Sequence, residues 1–234
     1  MQAFHLFTAD VRGDRRNTVY PRAVEINTLA QLQQAAQYDH VGAAFKDNRR
    51  QNEGFLWADC LIADVDNAAG DVVEPAQIAD DLPDVQHYIL FSRHHLLAKG
   101  TAPAVPRFHV LFPIDRTEDR EQLEGLKRAL CSRFPYYDAA CVDGARFFFG
   151  TECPQGGAVD GLFTLDEVLD EHPVSIQVNG EWQTFPNREA AEKAMYEEYK
   201  DNLRRNAENF RITDDELGVG GAKAKFRANM AAIN

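Results

Sequence analysis

Apolar residues along this chain fall into short runs, and the period within the runs changes from one to the next. Asp59-Cys-Leu-Ile-Ala-Asp-Val-Asp66 predicts a buried strand that ends in carboxylates. His87-Tyr-Ile-Leu-Phe91 and Phe108-His-Val-Leu-Phe-Pro-Ile114 predict two more strands, and Ala145 to Gly150 a short one. Glu74 to Leu82 reads as a short helix crossing between the first two, a strand–helix–strand unit. Helical spacing appears elsewhere. Thr28-x-x-Gln31 is a capping box opening a helix from Leu29 to Tyr38. Thr117 is placed to cap a helix running through Ser132, with Glu118, Asp119 and Glu121 in its first turn and Leu123, Leu126 and Leu130 as its apolar stripe. Thr164-x-x-Glu167 caps another short helix.

Ser175 to Phe185 alternates about an Asn-Gly pair, the signal of a hairpin. A charged helix follows from Asn187 to about Phe210. Thr213-x-x-Glu216 offers a further cap, Gly218-Val-Gly-Gly221 a break, and Lys223, Lys225 and Arg227 mark the tail. Mixed strands and helices with short crossovers give an α/β or α+β class. The division expected is a domain over residues 1–186 and a helical accessory segment or linker over 187–234.

Composition narrows the class. At 234 residues, 44% apolar and 26% charged, the chain reads as a soluble globular protein, not a disordered, fibrous or disulfide-stapled one. It holds no run of 18 apolar residues, and its first residues hold no apolar core of signal-peptide length. Four cysteines without C-x-x-C spacing point to a cytoplasmic protein with reduced thiols. A net charge of −12 excludes coating nucleic acid by global attraction, so any such contact must use a local patch.

Candidate chemistry gathers at three places. Asp64 and Asp66, two apart on a strand, share a face, and such a pair is costly unless a cation such as Mg²⁺ or Mn²⁺ lies between them. A solvated strand end would read the same way. Arg107 and His109 share a face by the same rule and form a basic pair suited to a triphosphate. A buried histidine bonded to backbone is the bland alternative. The loop before them, residues 92–106, carries Ser92, His95, Lys99 and Gly100, a set that suits close approach to phosphate. Asp138 follows Phe134-Pro-Tyr-Tyr137 and precedes Asp143 and Arg146-Phe-Phe-Phe-Gly150. It could add a third carboxylate, while Arg146 wants an anionic partner, either an acid or a phosphate.

Taken in order, these features resemble the archaeo-eukaryotic primase superfamily, the primase-polymerases, and most nearly those of phages, plasmids and integrative elements. The likeness spans roughly residues 1–170. It rests on Ala63-Asp-Val-Asp-Asn67, Phe91-Ser-Arg-His-His95, Pro106-Arg-Phe-His-Val-Leu-Phe-Pro113 and Ala145-Arg-Phe-Phe-Phe-Gly150. The resemblance implies an α+β fold with an RRM-like catalytic palm beside an N-terminal α/β unit. It implies two divalent ions, Mg²⁺ or Mn²⁺, on Asp64, Asp66 and Asp138, with His109 as the histidine of the second motif. Ser92, His95, Lys99, Arg107, His109 and Arg146 are then the nucleotide-binding set. Arg49 and Arg50 would track template phosphates. The partners implied are a single-stranded DNA template, NTP or dNTP, and a replicative helicase, with no membrane. Two departures stand out: Arg107 occupies the usual serine position, so that Ser92 would supply the hydroxyl, and Asp143 competes with Asp138 as third acid. A rolling-circle nicking enzyme would need a second histidine and a helix-borne tyrosine in place of Tyr136-Tyr137. A replication-initiation module that has lost activity would not need the intact acids.

Overall fold

The structure is a computed structural model and describes residues 2–67, 71–100, 102–169, 174–185 and 188–210. It parts into two units, Met1–Leu169 and Asp170–Asn234. The hairpin and the charged helix that follows it fall in the second unit.

The first unit opens with β1 (Phe4–Thr8), β2 (Arg22–Ile26), α1 (Leu29–Ala35) and β3 (His40–Val41). Then come β4 (Ala43–Phe45), β5 (Phe55–Val65), α2 (Pro75–Asp81), β6 (His87–Phe91) and β7 (Phe108–Thr117). α3 (Arg120–Arg133), β8 (Phe147–Phe148), β9 (Gly156–Val159) and α4 (Leu165–Leu169) complete it.

Two antiparallel sheets result, ordered β4-β5-β7-β6-β9 and β2-β1-β3-β8. The expected strand–helix–strand unit is present, but its strands are not neighbours. β7 lies between β5 and β6 and runs antiparallel to both, a split β-α-β arrangement.

The larger sheet is covered on both faces, which is why β5 and β7 read as near-continuous apolar runs. One face, with Leu61, Ala63, Val65, Val110 and Phe112, packs on Ile78 of α2, Leu123, Leu126 and Leu130 of α3, and Leu165 of α4. The other, with Cys60, Ile62, Leu90 and Leu111, meets Phe4, Leu6, Leu32 and Phe148 of the smaller sheet and α1.

The caps follow local chemistry. Thr28 Oγ1 accepts from the Gln31 N–H at 3.3 Å, while Gln31 Oε1 reaches back to the Asn27 N–H at 2.8 Å. Thr117 instead ends β7, and Asp119 caps α3, accepting from the Glu121 N–H at 2.8 Å. Asp119, immediately before the helix, takes the place of the threonine expected there.

β8 stitches the two halves together. It pairs with β3, His40 opposite Phe148. Just beyond it, Gly150 comes so close to Tyr38 and Gln37 that any Cβ would overlap their backbone. The Gly150 N–H donates to the carboxylate of the fully buried Asp39 at 2.8 Å, and so do the N–H groups of Gly13 and Asp14, at 2.8 and 2.9 Å. Three charge-assisted bonds, each worth roughly 1.5–3 kcal/mol, offset the burial of that charge.

In the second unit, β10 (Val174–Val178) and β11 (Glu181–Phe185) turn at Asn179 and Gly180, both at positive φ as a two-residue hairpin turn requires. α5 (Arg188–Phe210) follows, and Glu198 accepts from the Asn179 N–H at 2.7 Å. Lys200 pairs with Glu197 and Arg204 with Asp201. The expected cap at Thr213, the glycine break and the basic tail lie outside the described residues.

Candidate active site

Asp64 is the penultimate residue of β5, and Asp66 lies just past its end. The β5–β7 register sets Asp64 opposite His109, and one step further Asp66 lies beside Arg107. Alternation puts all four on the face that carries Cys60, Ile62 and Leu111, beyond the apolar packing of that face.

The two acids are surrounded differently. Asp66 accepts from Lys99 Nζ at 2.8 and 3.0 Å and lies 3.1 Å from Arg107 Nε, off the hydrogen-bond direction. Asp64 faces His109 Nε2 at 3.5 Å and the Cys141 thiol at 3.9 Å. Burial, reinforced by the charges of Asp66 and Asp138, raises the Asp64 carboxyl to about 6, against the opposing pull of Arg146 and Lys99.

Asp138 arrives from the turn after α3. Its backbone N–H donates to the carbonyl of Asp64 at 2.9 Å, and its Oδ1 accepts from the Ala140 N–H at 2.9 Å. Its Oδ2 lies 3.7 Å from Cys141 Sγ. Asp64, Asp138 and Cys141 thus bring one donor atom each within 4.8 Å of one another. Asp143 is elsewhere engaged, its Oδ1 accepting from the Ala145 N–H at 2.8 Å. Lys127 of α3 steadies this turn from below, donating to the carbonyls of Cys141 and Asp143 at 3.3 and 3.0 Å.

The two residues of the expected basic pair are held differently. Arg107 is 1% exposed, and its guanidinium donates to the carbonyls of His94, Leu97 and Pro103. It ties down the 92–106 loop. His109 is buried, and burial with the nearby Arg146 lowers its pKa to about 4, so its ring is neutral at physiological pH. Its ring packs edge-on with Phe148, and its buried Nδ1 has no hydrogen-bond partner among the described residues.

A cleft of about 340 Å³ opens over Asp64, Asp66 and His109. Its cationic groups are Lys99, Arg146, Arg93 and Arg15, and Phe147 to Phe149 give it an apolar wall. Arg93 lies over the Phe149 ring at 3.8 Å. Ser92 lines the cleft as well, its Oγ accepting from the His94 N–H at 3.3 Å. His95 is turned away from it, stacked on Phe91, with Nδ1 accepting from the Arg107 N–H at 3.2 Å. Arg50 donates to the carbonyl of Ala145 and covers Phe147, and Arg49 reaches Thr18. Tyr136 donates to Asp81, and Tyr137 is buried.

Sequence reasoning overlooked Arg15 and Cys141. Arg15 enters through the loop that Asp39 anchors, for which the linear sequence holds no sign. Cys141 was legible only as a spacing, three residues after Asp138.

Among the described residues, no helix is long and apolar enough to cross a membrane. No family model matches the sequence, and no curated protein matches it. Among solved structures, the chain is similar to the AEP domain of the cyanophage S-2L primase-polymerase, at 14% identity over 71% of this chain and 87% of that one, with a TM-score of 0.42.

Proposed function

We propose that this chain is a DNA primase-polymerase, carrying out template-directed, metal-dependent nucleotidyl transfer to make or extend primers on single-stranded DNA. The observation that carries this reading is the convergence of Asp64 with Asp138, together with a cleft that Asp64 and Asp66 line alongside Lys99, Arg146, Arg93 and Arg15.

A divalent ion fits these residues. Burial, with the charges of Asp66 and Asp138, raises the Asp64 carboxyl to about 6, a cost that a hard cation relieves. Asp64, Asp66 and Asp138 are the groups to hold two ions, Mg²⁺ or Mn²⁺. When bound, such ions lower the pKa of an attacking 3′-hydroxyl and neutralise the departing pyrophosphate.

The chain's own residues supply the rest. Arg146 and Lys99 bind the triphosphate, with Arg93 and Arg15 at the rim and the Ser92 hydroxyl beside them. Lys99 exchanges Asp66 for phosphate when the nucleotide arrives. His109, neutral, contributes a hydrogen bond and not a charge. His95 and Arg107 act through the loop they hold. The split β-α-β core, β5-α2-β6-β7-α3, serves as the RRM-like palm, with β4 as the outer strand beside β5. The sheet of β1, β2, β3 and β8 is the N-terminal unit. The C-terminal segment helps to start chains.

Incubation of the full chain with single-stranded DNA, annealed primer, nucleotides and Mg²⁺ or Mn²⁺ tests the reading on a denaturing gel. Metal-dependent products that D64N abolishes are expected. No product under any combination overturns it.

A further inference from the structure

The reaction proposed above calls on oxygen ligands, yet the donor set includes a sulfur. Cys141 Sγ lies 3.7 Å from Asp138 Oδ2 and 3.9 Å from Asp64 Oδ2. A metal–sulfur distance of about 2.3 Å and a metal–oxygen distance of about 2.1 Å, set at a tetrahedral angle, separate sulfur and oxygen by about 3.6 Å. The sulfur thus stands close to the spacing of one coordination edge from each carboxylate before any ion arrives.

A second observation points to the same spot. His109 is 8% exposed, its Nε2 lies 3.5 Å from Asp64 Oδ1, longer than a good hydrogen bond, and its buried Nδ1 has no hydrogen-bond partner among the described residues. A buried imidazole held short of its carboxylate leaves room at that carboxylate for a third group.

We infer that Cys141 is a specificity-determining donor at the Asp64–Asp138 site, which turns its preference from Mg²⁺ toward ions that accept sulfur, such as Co²⁺, Zn²⁺ and Cd²⁺. The inference rests on the metal-site reading above and adds the ligand that chooses among ions. Sulfur is a poor ligand for Mg²⁺ and a good one for these softer ions, so one thiol among carboxylates discriminates by chemistry and not by size. On coordination the thiol gives its proton to water and binds as thiolate. Lys127, by holding the Cys141 carbonyl, fixes the direction from which the sulfur arrives.

The test uses the full chain and the metals alone. Co²⁺ is titrated into the wild type, C141S, C141A, D64N and C153S, and the thiolate-to-cobalt band in the near ultraviolet is recorded. Mn²⁺ binding is followed in parallel by electron paramagnetic resonance. The band should appear in the wild type and in C153S, where a surface thiol is removed. It should vanish in C141S, C141A and D64N. Co²⁺ affinity should fall on the order of tenfold in C141S, the scale of losing one supporting group at a metal site. Mg²⁺ affinity, measured by competition with Mn²⁺, should change by less than about twofold, since the sulfur contributes little to that ion. D64N leaves the thiol in place, so its loss of the band does not depend on how well the cysteine variants fold. If the wild type lacks the band, or C141S keeps it, while Mn²⁺ binding still requires Asp64, the thiol assignment is overturned and the carboxylate site stands. If D64N binds Mn²⁺ as the wild type does, or neither binds it, the metal-site reading itself fails.

Discussion

The backbone N–H of Asp138 donates to the backbone carbonyl of Asp64 at 2.9 Å, so the two acids are joined through main chain before their carboxylates meet. Substituting either side chain leaves that bond in place. D64N and D138N should therefore abolish nucleotide incorporation, a loss of several kcal/mol of transition-state stabilisation, roughly, while the circular dichroism spectrum stays that of the wild type. D143N should retain most activity and most stability, because the Asn Oδ1 still accepts from the Ala145 N–H. Extension assays and thermal melts on the three variants check this. A dead D143N beside an active D138N would reverse the assignment of the third acid.

The raised Asp64 pKa has a signed consequence for stability. Between its ordinary value of 3.8 and its folded value of about 6, the folded chain binds more protons at this site than the unfolded one. The contribution of Asp64 to stability therefore falls as pH rises through that window, and the deficit is complete above about 6. Its ceiling is about 3 kcal/mol for a shift of this size. In chelator, D64N should melt above the wild type at pH 7.5, and the gap should close below pH 4. A gap that persists at low pH would mean that burial of the charged carboxylate is not its source.

His109 and His40 act in the opposite sense. Burial lowers both to about 4, so the unfolded chain takes up their protons first as pH falls from 6.5. Stability at these two sites is present above pH 6.5 and is lost toward pH 4. Because the His109 ring is neutral at the working pH, H109A should weaken nucleotide binding through a lost hydrogen bond, several-fold, with single-stranded DNA binding little changed. Separate titrations with labelled nucleotide and labelled DNA check this, and equal loss of both would make His109 a core residue only.

Arg107 and Arg146 should separate stability from binding. R107M leaves Asp66 without one of its cations and three loop carbonyls without their donor. It should cost about 3–5 kcal/mol and open residues 92–106 to proteolysis. R146M, on a half-exposed residue in the cleft, should lower nucleotide affinity with little change in melting temperature. Limited digestion and nucleotide titration of both variants distinguish them.

Much of this was legible in the sequence because local rules governed it. The Asn179-Gly180 turn, the Thr28 cap and the two-apart placement of Asp64 and Asp66 each depend on neighbours within four residues. What escaped depended on distant partners. Nothing near Arg107 foretells that three carbonyls of its own loop take up its guanidinium. Nothing near His109 foretells a burial deep enough to keep it neutral.

The pairing of β3 with β8 also sets an order of events during translation. His40 and Val41 emerge early from the ribosome, while Phe147 and Phe148 emerge only after the whole of the larger sheet except β9 has been synthesised. Until then β3 stands unpaired on that side, and Asp39 waits for the Gly150 N–H that completes its set of donors. An open strand edge is a template for pairing with other chains. Chains halted before residue 147 should therefore be the ones that associate with each other or call on chaperones, and the first 41 residues should not survive as an independent fragment.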